Sequence, residues 1–501
     1  MTVRETDASS GCIDVLHRFE RVVSEAPHRI AIVHQGEEIT FAELDERANA
    51  IAVALQAAGT DRGQLVGLLV RRSSFMLASL FGILKAGGAM LPIDPELPGQ
   101  RIDYMLNDSG CLLVLTDIEA LEERQGLHIV RDTAIERCAS EPIVSCEPAG
   151  NQLAYVLYTS GSTGMPKGVQ IERQALAGFA QAIGQALPIA QWHTMLALTT
   201  ISFDIFIMET IVPLSFGVTV ALLDEQQQRN PMKLKEAMMR HRPDAVQMTP
   251  SRMQLIEIVD PEFACLTGVS AIMLGGERLP SSLLAQLSRK TKAAIYNLYG
   301  PTEATIWATI SELTGKSEVD IGRPLSHIDV RLLDDDGCPV AGEAEGEICL
   351  TGVGISSGYL NRPALNEAKF TPLPDDPLRR MYRTGDRARW NPDGTLRYLG
   401  RVDDQVKIRG HRVELGEIEE AMRKHPAALQ VAAAVFLGKY EQYFLCGYYI
   451  ADREVPVPEW RQTLSATLPI HMVPEVFVRL AEMPRTHNHK IDRKALPHPT
   501  S

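Results

Sequence analysis

The chain has 501 residues, of which 45% are hydrophobic and 23% are charged, and its formal net charge is -13. This length exceeds what one hydrophobic core organises, and the balanced composition excludes a disordered, collagenous or membrane-spanning chain. The acidic charge argues against nucleic acid as a partner, because neutralising phosphates takes clustered lysine and arginine. We therefore expect an acidic protein of two or more domains.

The cysteines and the N-terminal residues narrow the class further. The eight cysteines are scattered with no CxxC pair, so a metal cluster and a disulfide framework are both disfavoured. The N-terminal stretch lacks an apolar signal region, and no apolar run is long enough to cross a bilayer. We expect a cytoplasmic enzyme with no membrane partner.

Strand-like apolar runs alternate with amphipathic helical stretches through most of the chain. In chain order these runs are LVGLLV (65–70), LAYVLYT (153–159), AIMLGG (271–276) and AAIYNLYG (293–300). Their alternation with helical segments predicts an α/β architecture with buried strands. After the hairpin-type turn PDG (392–394) the chain becomes charged, which predicts a domain boundary near Arg401. Residues 1–400 would form the N-terminal domain and residues 401–501 a small α+β domain.

The stretch YTSGSTGMPKGV (158–169) combines glycines, hydroxyl residues and a lysine directly after an apolar run. Backbone amides freed by glycine, together with hydroxyls, form a concave nest for phosphate oxygens, and a lysine adds a cation. A mobile surface turn is the alternative for such a cluster, but the position after a strand favours a triphosphate site. The stretch is not the common P-loop, since Pro166 precedes Lys167 and Gly168 follows it.

The chain resembles the adenylate-forming superfamily and, within it, the amino-acid adenylation domains of nonribosomal peptide synthetases. YTSGSTGMPKGV resembles the phosphate loop of that family, and the other motifs follow in the family's order. They are LKAGGAMLPIDPELPGQRI (84–102), FDIFIME (203–209), NLYGPTEATI (297–306), GEICLTGVGISSGYLNRP (346–363), YRTGDRARW (382–390), GRVDDQVKIRGHRVELGEIE (400–419), LPIHMVPE (468–475) and NHKIDRKAL (488–496). The resemblance implies a large N-terminal α/β domain with a small mobile C-terminal lid.

The resemblance also implies a reaction and its cofactors, ATP and Mg²⁺. A carboxylate attacks the α-phosphorus of ATP and pyrophosphate leaves; the acyl group then passes to the phosphopantetheine thiol of a carrier protein. Glu303 is implied to bind magnesium, for which a carboxylate with phosphate oxygens is the usual environment. Asp386, assisted by Arg401, is implied to bind the ribose hydroxyls. The residues implied to hold the nucleotide are Thr159, Ser160, Gly161, Ser162, Thr163, Gly164, Lys167, Asn297, Tyr299, Gly300, Thr302, Asp386 and Arg401.

Lys490 is implied to be the catalytic cation, reaching from the C-terminal tail to the substrate carboxylate. The family usually has Asn-Gly-Lys here, whereas this chain has Asn488, His489 and Lys490. If the glycine position needs a positive φ, a β-carbon there costs about 1 kcal/mol. Asp403, with Asp404 beside it, matches the hinge of the lid, and the turn at Gly410 would line the tunnel for the carrier's arm.

Asp204 indicates the class of acid that is activated. In the family that the chain resembles, this position is usually uncharged in acyl and aryl ligases and is an aspartate in amino-acid enzymes, so the resemblance implies an α-amino acid. The aspartate has a physical purpose there, because a buried ammonium without a partner costs several kcal/mol. The resulting pocket resembles the glycine type, with Leu274 where glycine is common, so we favour glycine, then alanine or serine. The implied pocket comprises Phe203, Asp204, Ile205, Met208, Gln247, Ile272, Leu274, Leu298, Gly300, Ile306, Trp307 and Lys490.

Two other functions are weighed against this one. An acyl- or aryl-CoA ligase is disfavoured by Asp204. An inactive nucleotide-binding scaffold is disfavoured by the retained Lys167, Glu303, Asp386 and Lys490. No serine-bearing carrier signature follows the last motif. We therefore expect a carrier protein supplied in trans, although a domain excised from a larger synthetase would have the same sequence features.

Overall fold

The computed structural model describes residues 12–119, 127–135, 149–161, 164–403, 405–438, 443–487 and 491–499. The helices are α1 (Val15–Glu25), α2 (Phe41–Ala57), α3 (Ser74–Lys85), α4 (Gly99–Ser109), α5 (Asp132–Ile135), α6 (Arg173–Ala186), α7 (Ile205–Glu209), α8 (Ile211–Ser215), α9 (Glu225–Arg229), α10 (Pro231–His241), α11 (Pro250–Val259), α12 (Ser281–Lys290), α13 (Pro363–Lys369), α14 (Leu415–Arg423) and α15 (Val457–Ser465). Short 3-10 helices lie at Ile189–Gln191, Ala264–Leu266, Thr302–Ala304, Ile470–Met472 and Arg493–Ala495.

The strands form five sheets. They are β1 (Ile30–His34), β2 (Glu37–Thr40), β3 (Leu65–Leu69), β4 (Ala89–Pro92), β5 (Leu113–Thr116), β6 (His128–Arg131), β7 (Leu153–Thr159), β8 (Lys167–Glu172), β9 (Thr194–Ala197), β10 (Thr219–Leu222), β11 (Ala245–Met248), β12 (Ala271–Gly275), β13 (Ala294–Tyr299), β14 (Thr309–Glu312), β15 (Arg323–Pro324), β16 (Asp329–Leu333), β17 (Gly346–Thr351), β18 (Gly358–Tyr359), β19 (Phe370–Leu373), β20 (Asp376–Trp390), β21 (Leu396–Arg401), β22 (Gln405–Ile408), β23 (His411–Glu414), β24 (Gln430–Leu437), β25 (Tyr443–Ile450) and β26 (Val476–Arg479).

The two largest sheets have parallel centres. The first has the order β15-β14-β13-β12-β11-β9-β10-β1-β2, and the second has the order β18-β8-β7-β4-β3-β5-β6. The strands from β13 to β1 in the first sheet, and from β7 to β6 in the second, run parallel. This arrangement confirms the α/β class predicted from the alternating pattern.

The main hydrophobic core lies between the two large sheets. It contains residues of both sheets, such as Met195 and Leu298 on one side and Leu68 and Leu157 on the other. Helix α3 lies in this core and is apolar nearly all round, as a helix covered on every side must be. A second cluster covers the outer face of the nine-stranded sheet, beneath α10 and α12. The nine-stranded sheet is therefore buried on both faces.

The C-terminal part of the chain has its own elements. The five-stranded sheet of β16, β17, β19, β20 and β21 ends at Arg401, which pairs with Asp386. The hairpin of β22 and β23 then leads into α14, the β24-β25-β26 sheet and α15. Two hydrophobic clusters draw only on residues from Val406 onward. The described residues contain no helix that is both long and apolar enough to cross a membrane.

Candidate active site

The site lies at the carboxyl ends of the parallel strands, where open α/β sheets bind their ligands. Strand β12 ends at Gly275, β13 ends at Tyr299, and β7 ends at Thr159. The turn Thr302–Ala304 follows β13 and brings Glu303 to the same edge. The C-terminal hairpin of β22 and β23 covers this edge from the outside.

The predicted phosphate loop joins β7 to its antiparallel neighbour β8, where Thr159 pairs with Lys167. A β-carbon on Gly161 would lie 1.9 Å from the Met165 carbonyl oxygen, so this turn admits only glycine. The Thr159 hydroxyl is buried and has no hydrogen-bond partner. A buried hydroxyl that lacks a hydrogen-bond partner fits a ligand with phosphate oxygens. Ser162 and Thr163 lie outside the described residues.

Glu303 is the charged centre of the site and is fully buried. The Arg412 guanidinium donates to both carboxylate oxygens at 2.8 and 2.9 Å, and the Tyr359 hydroxyl donates at 2.6 Å. The Lys167 ammonium lies 4.0 Å away. Burial by itself raises the pKa of Glu303, but Arg412 and Lys167 outweigh it and lower the pKa to about 2. Burial and the Arg412 charge lower the pKa of Lys167 to about 7.

An ionised carboxylate beside a phosphate cradle is the type of ligand that magnesium takes in proteins. Glu303 therefore fits the predicted metal by its chemistry. In the conformation described, however, Arg412 covers both of its oxygens. A metal ion bound at Glu303 would compete with the Arg412 cation for this carboxylate.

A cavity of about 760 Å³ opens between the two parts of the chain. It is lined by the ends of β12 and β13, by β21 and by the hairpin strand β22. Beside it, the Asp386 carboxylate accepts hydrogen bonds from the hydroxyls of Tyr299 at 2.7 Å and Tyr398 at 3.1 Å, and from Arg401 at 2.9 Å. Arg401 also forms an ion pair with Asp403 at 2.6 Å. One guanidinium therefore contacts both Asp386, the predicted ribose-binding residue, and Asp403, the predicted hinge.

Asp204 lies at the N-terminus of α7 and is buried. Burial raises the pKa of Asp204 to about 6, against the opposing effect of a hydrogen bond with Thr302. Among the described residues no salt bridge is formed with this carboxylate, and the charge of Lys407 lowers its pKa by less than burial raises it. A buried carboxylate without a paired cation suits a positively charged ligand group.

A chain of hydrogen bonds closes the pocket below Asp204. The Trp307 indole donates to the Gln247 side-chain oxygen at 3.0 Å, and the Gln247 amide donates to the Ile205 carbonyl at 3.4 Å. All three residues are buried. The structure thus brings Gln247, whose placement rests on the resemblance, to the same wall as Trp307 and Ile205.

The prediction that Ile272 and Leu274 line the pocket is wrong. Side chains alternate along β12, and both residues belong to the cluster on the outer face of the nine-stranded sheet. Met273 instead lies in the inner core with Met208 and Trp307. The pocket positions on β12 are therefore Met273 and Gly275.

Gly275 lies against the floor of the pocket. A β-carbon there would come within 2.5 Å of the Trp307 indole, so the ring fills the space that a side chain on this residue would need. Gly275, rather than Leu274, therefore lies on the face of β12 that is turned toward the inner core. Ile306 and Leu298 pack in the same core, and Phe203 packs against it.

The hairpin of β22 and β23 contacts the site at several points. The Gly410 amide donates to Glu277 at 3.1 Å, and the Ser160 hydroxyl donates to the Arg412 carbonyl at 2.8 Å. The His411 ring lies 5.8 Å from Phe203 and stacks on His471 at 3.9 Å. These rings line a small cavity of about 90 Å³ that reaches Ser160 and Thr302.

Comparison with known proteins identifies the family. A family model described as AMP-binding enzyme matches residues 19–360. The chain belongs to the AMP-binding enzyme family. The predicted resemblance to adenylate-forming enzymes is thereby confirmed.

Individual relatives of this AMP-binding enzyme are nonribosomal peptide synthetases. The dimodular nonribosomal peptide synthase of Bacillus subtilis (strain 168) is 36% identical over 506 residues, which cover 99% of this chain and 21% of that protein. The chain thus spans about a fifth of that relative's length. The structure of holo-PA1221, an NRPS protein containing adenylation and PCP domains bound to a vinylsulfonamide inhibitor, superposes with a TM-score of 0.86 at 27% identity, covering 96% of this chain and 83% of that one.

A further neighbour is holo-AB3403, a four domain nonribosomal peptide synthetase bound to AMP and glycine. It superposes with a TM-score of 0.72 at 30% identity, covering 97% of this chain and 36% of that one. Both solved neighbours share the large α/β domain that precedes the C-terminal part.

Lys490 of the AMP-binding enzyme, with Asn488 and His489, lies outside the described residues. Among the residues that flank it in the sequence, the Arg485 guanidinium donates to the Gln430 side-chain oxygen, the Asp492 amide donates to the Pro484 carbonyl, and the Arg493 guanidinium donates to Glu419. Its catalytic role stays a prediction.

Sequence reasoning missed several residues that the fold brings to the site. Arg412 and Glu417 lie in the lid motif, Tyr359 lies in GYLNRP, and Glu277 follows the glycines at the end of β12. Each stood in or beside a recognised motif. No local feature singles them out, because their partners are distant in the sequence.

Proposed function

We propose that this AMP-binding enzyme activates glycine as glycyl-AMP, with release of pyrophosphate, and passes it to the phosphopantetheine thiol of a carrier protein. The observation that carries the proposal is the buried, unpaired Asp204 above a pocket floor that Trp307 has closed. The carboxylate provides for an ammonium group, and the indole leaves no room for a long side chain. Alanine or serine would be the next substrates, because one methyl group discriminates by only about 1 to 3 kcal/mol.

Each of these groups has its own role in the proposed reaction. Asp204 holds the ammonium and so aims the substrate carboxylate at the α-phosphorus, where a new P–O bond forms as the bond to pyrophosphate breaks. The loop amides, the Thr159 hydroxyl and Lys167 bind the departing phosphates, whose developing charge must be stabilised in advance. Asp386 orients the ribose. Magnesium, when bound at Glu303, supplies further neutralisation of phosphate charge.

Two lines of support come from the neighbours. The glycine and AMP bound to holo-AB3403 show that a protein 30% identical to this chain accommodates this pair of ligands. The carrier domain in holo-PA1221 supports a carrier protein as the acceptor. In this chain the small cavity beside His411 and Ser160 reaches the reacting end of the site, which suits the entry of a thiol arm.

Amino-acid-dependent exchange of labelled pyrophosphate into ATP tests the proposal. All standard amino acids and a set of simple carboxylic acids are compared at equal concentration. We expect the fastest exchange with glycine and slower exchange with alanine and serine. Exchange only with acids that lack an amine would show an acyl or aryl ligase, and exchange with none would show a scaffold.

A further inference from the structure

The segment from Leu198 to Glu209 forms a loop that is closed by a buried carboxylate. Glu209, the last residue of α7, is fully buried and accepts hydrogen bonds from the backbone amides of Leu198 at 2.8 Å and Thr199 at 2.7 Å. It also accepts a hydrogen bond from the Thr199 hydroxyl at 2.5 Å. Asp204 lies near the middle of this loop. One carboxylate therefore joins the two ends of the segment that carries the predicted ammonium partner.

Arg72 binds the base of the same loop from the other large sheet. It follows β3 and donates to the carbonyl oxygens of Ala197 at 2.5 Å, of Thr199 at 2.6 Å and of Leu223. Its guanidinium also lies 5.6 Å from the centre of the Phe206 ring, on α7. Arg72 thus connects the seven-stranded sheet to the ends of β9 and β10 in the nine-stranded sheet, and to α7.

The two side chains carry opposite charges in a region where an uncompensated charge is costly. Burial raises the pKa of Glu209, and the hydrogen bonds from Thr199 and Leu198, together with the Arg72 charge, oppose this rise. Burial lowers the pKa of Arg72 to about 10, and the Glu209 charge opposes that fall. Each group therefore stabilises the charged form of the other while both bind the backbone at the base of the loop.

Helix α7 cannot hold Asp204 in place by itself. It has five residues, Ile205–Glu209, and a helix this short is unstable without tertiary contacts. Its apolar side chains are buried, but apolar packing is not directional, whereas hydrogen bonds fix both distance and angle. We propose that Glu209 and Arg72 are positioning residues for ammonium recognition: they clamp residues 197–199 and thereby hold the Asp204 carboxylate where the substrate amine binds. The inference rests on the proposed function, since it takes Asp204 as the partner of that amine.

The clamp formed by Glu209 and Arg72 has an alternative with a different consequence. If the apolar packing of α7 alone places Asp204, weakening the clamp lowers stability and affects every ligand of the site equally. If the clamp places Asp204, weakening it costs most for a ligand that carries an amine. The ratio of the dissociation constants of two ligands that differ only in the amine therefore separates the two explanations.

The two probes are glycyl-sulfamoyl-adenosine and acetyl-sulfamoyl-adenosine, in which a sulfamoyl group replaces the phosphate of the adenylate. The second probe lacks only the amine. Their dissociation constants are measured by calorimetry above pH 7, where Asp204 is ionised, on the full chain and on the variants Glu209→Gln and Arg72→Lys. Glutamine keeps the size of Glu209 but turns an amide donor toward the donors of Thr199. Lysine keeps the charge of Arg72 but lacks the planar fork that reaches three carbonyls.

We expect the amine's binding advantage to fall at least about tenfold in each variant, as for a displaced binding group. Asp204→Ala is the reference and should abolish the advantage. The matched control is Arg173→Lys. Arg173 is 2% exposed and binds both Asp14 oxygens at 2.8 and 2.9 Å and the Leu84 carbonyl at 3.2 Å. These partners lie on other elements, so the control should keep the advantage within about twofold even if its melting temperature falls.

The outcomes separate the clamp from the proposed function. An unchanged advantage in either folded variant, or an equal loss in Arg173→Lys, overturns the proposal. Since Arg72→Lys retains its charge, it provides the test if Glu209→Gln does not fold. A full advantage in Asp204→Ala would show that the amine is held elsewhere, and the proposed role of Asp204 would fail together with the clamp. Loss of the advantage in Asp204→Ala alone would refute only the clamp.

The exchange reaction gives a second measurement. In Glu209→Gln the KM for glycine should rise at least about tenfold, while the KM for ATP stays within about twofold. This split is not expected from a merely structural role, which would affect both substrates. Equal rises in the two KM values would overturn the proposal.

Discussion

At the scale of single residues, Asp204 is the group whose ionisation decides binding. It is buried, it has no paired cation among the described residues, and its pKa is raised to about 6. Only the ionised form attracts an ammonium group. The carboxylate therefore connects substrate choice to pH, which leads to two predictions.

The first prediction concerns the pH dependence of glycine binding. Below about pH 6 Asp204 becomes protonated and neutral, so the KM for glycine in the exchange reaction should rise about tenfold for each further pH unit. Above pH 7 it should be level. The KM for ATP, measured over the same range, is the control for a general loss of structure. A KM for glycine that stays level from pH 5 to pH 8 would remove Asp204 from substrate binding.

The second prediction concerns stability. The pKa of Asp204 is higher in the folded chain than in the unfolded chain. Its contribution to the free energy of unfolding therefore falls as the pH rises from the unfolded pKa to the folded pKa. At pH 4 Asp204→Asn should therefore match the parent, and above pH 6 it should be more stable by about 3 kcal/mol, which corresponds to the shift from 3.8 to about 6. Calorimetric melting of both proteins from pH 4 to pH 8 measures the difference. A stability difference between the two proteins that does not change with pH would contradict a raised pKa at Asp204.

Trp307 is the residue that limits the size of the substrate. Trp307→Ala opens the space beside Gly275, so the ratio of leucine-dependent to glycine-dependent exchange should rise at least about tenfold. Leu274→Ala is the control on the outer face of the same strand: it should destabilise the chain by about 2 to 5 kcal/mol and leave the ratio unchanged. A changed ratio in the control and not in Trp307→Ala would reverse the assignment of faces.

At the scale of elements, the turn between β7 and β8 leaves no room for a side chain at Gly161. Gly161→Ala places a methyl group 1.9 Å from the Met165 carbonyl and must distort the turn. ATP binding, measured by calorimetry, should weaken at least about tenfold. Gly99→Ala is the matched control, since no atom lies within 4 Å of its added β-carbon, and it should bind ATP like the parent. Equal losses in the two variants would show that the cradle does not bind phosphate.

Strand β12 shows how far an element can be predicted. The run AIMLGG predicts a buried strand, and the strand Ala271–Gly275 is present. Which side chains face the pocket does not follow from the pattern, because both faces of this strand are buried and apolar. A shift of one residue moves every side chain to the other face, and only the neighbouring strands decide it.

At the scale of the whole molecule, the C-terminal part supplies both the hairpin that covers the candidate active site and Lys490, which is predicted to act in the same site. In the conformation described, the hairpin and α14 contact the predicted phosphate loop through the Ser160 hydroxyl and the Gly161 amide. Asp403 is the predicted pivot for turning of the C-terminal part, and Arg401 holds this residue at 2.6 Å.

The whole-molecule prediction is that Lys490→Ala loses adenylate formation alone. Exchange should fall by about 100-fold or more, as expected when a cation that stabilises the transition state is removed, while ATP binding stays within about twofold. Transfer of glycine from preformed glycyl-AMP to free pantetheine should be unaffected. Lys494→Ala, at an exposed position four residues away, is the control. Normal exchange in Lys490→Ala would refute the role.

The sequence by itself determined the α/β class, the family and the types of residue in the site, because these depend on local patterns and on motifs in a set order. The glycines of the phosphate loop, Glu303 and Asp204 are of this kind. Only the tertiary structure decided that Met273 and Gly275, not Ile272 and Leu274, face the pocket, and that Arg412 covers Glu303. The physical reason is that a buried strand has no polar face to mark its orientation, and that an ion pair across 109 residues depends on how two separately packed parts of the chain dock.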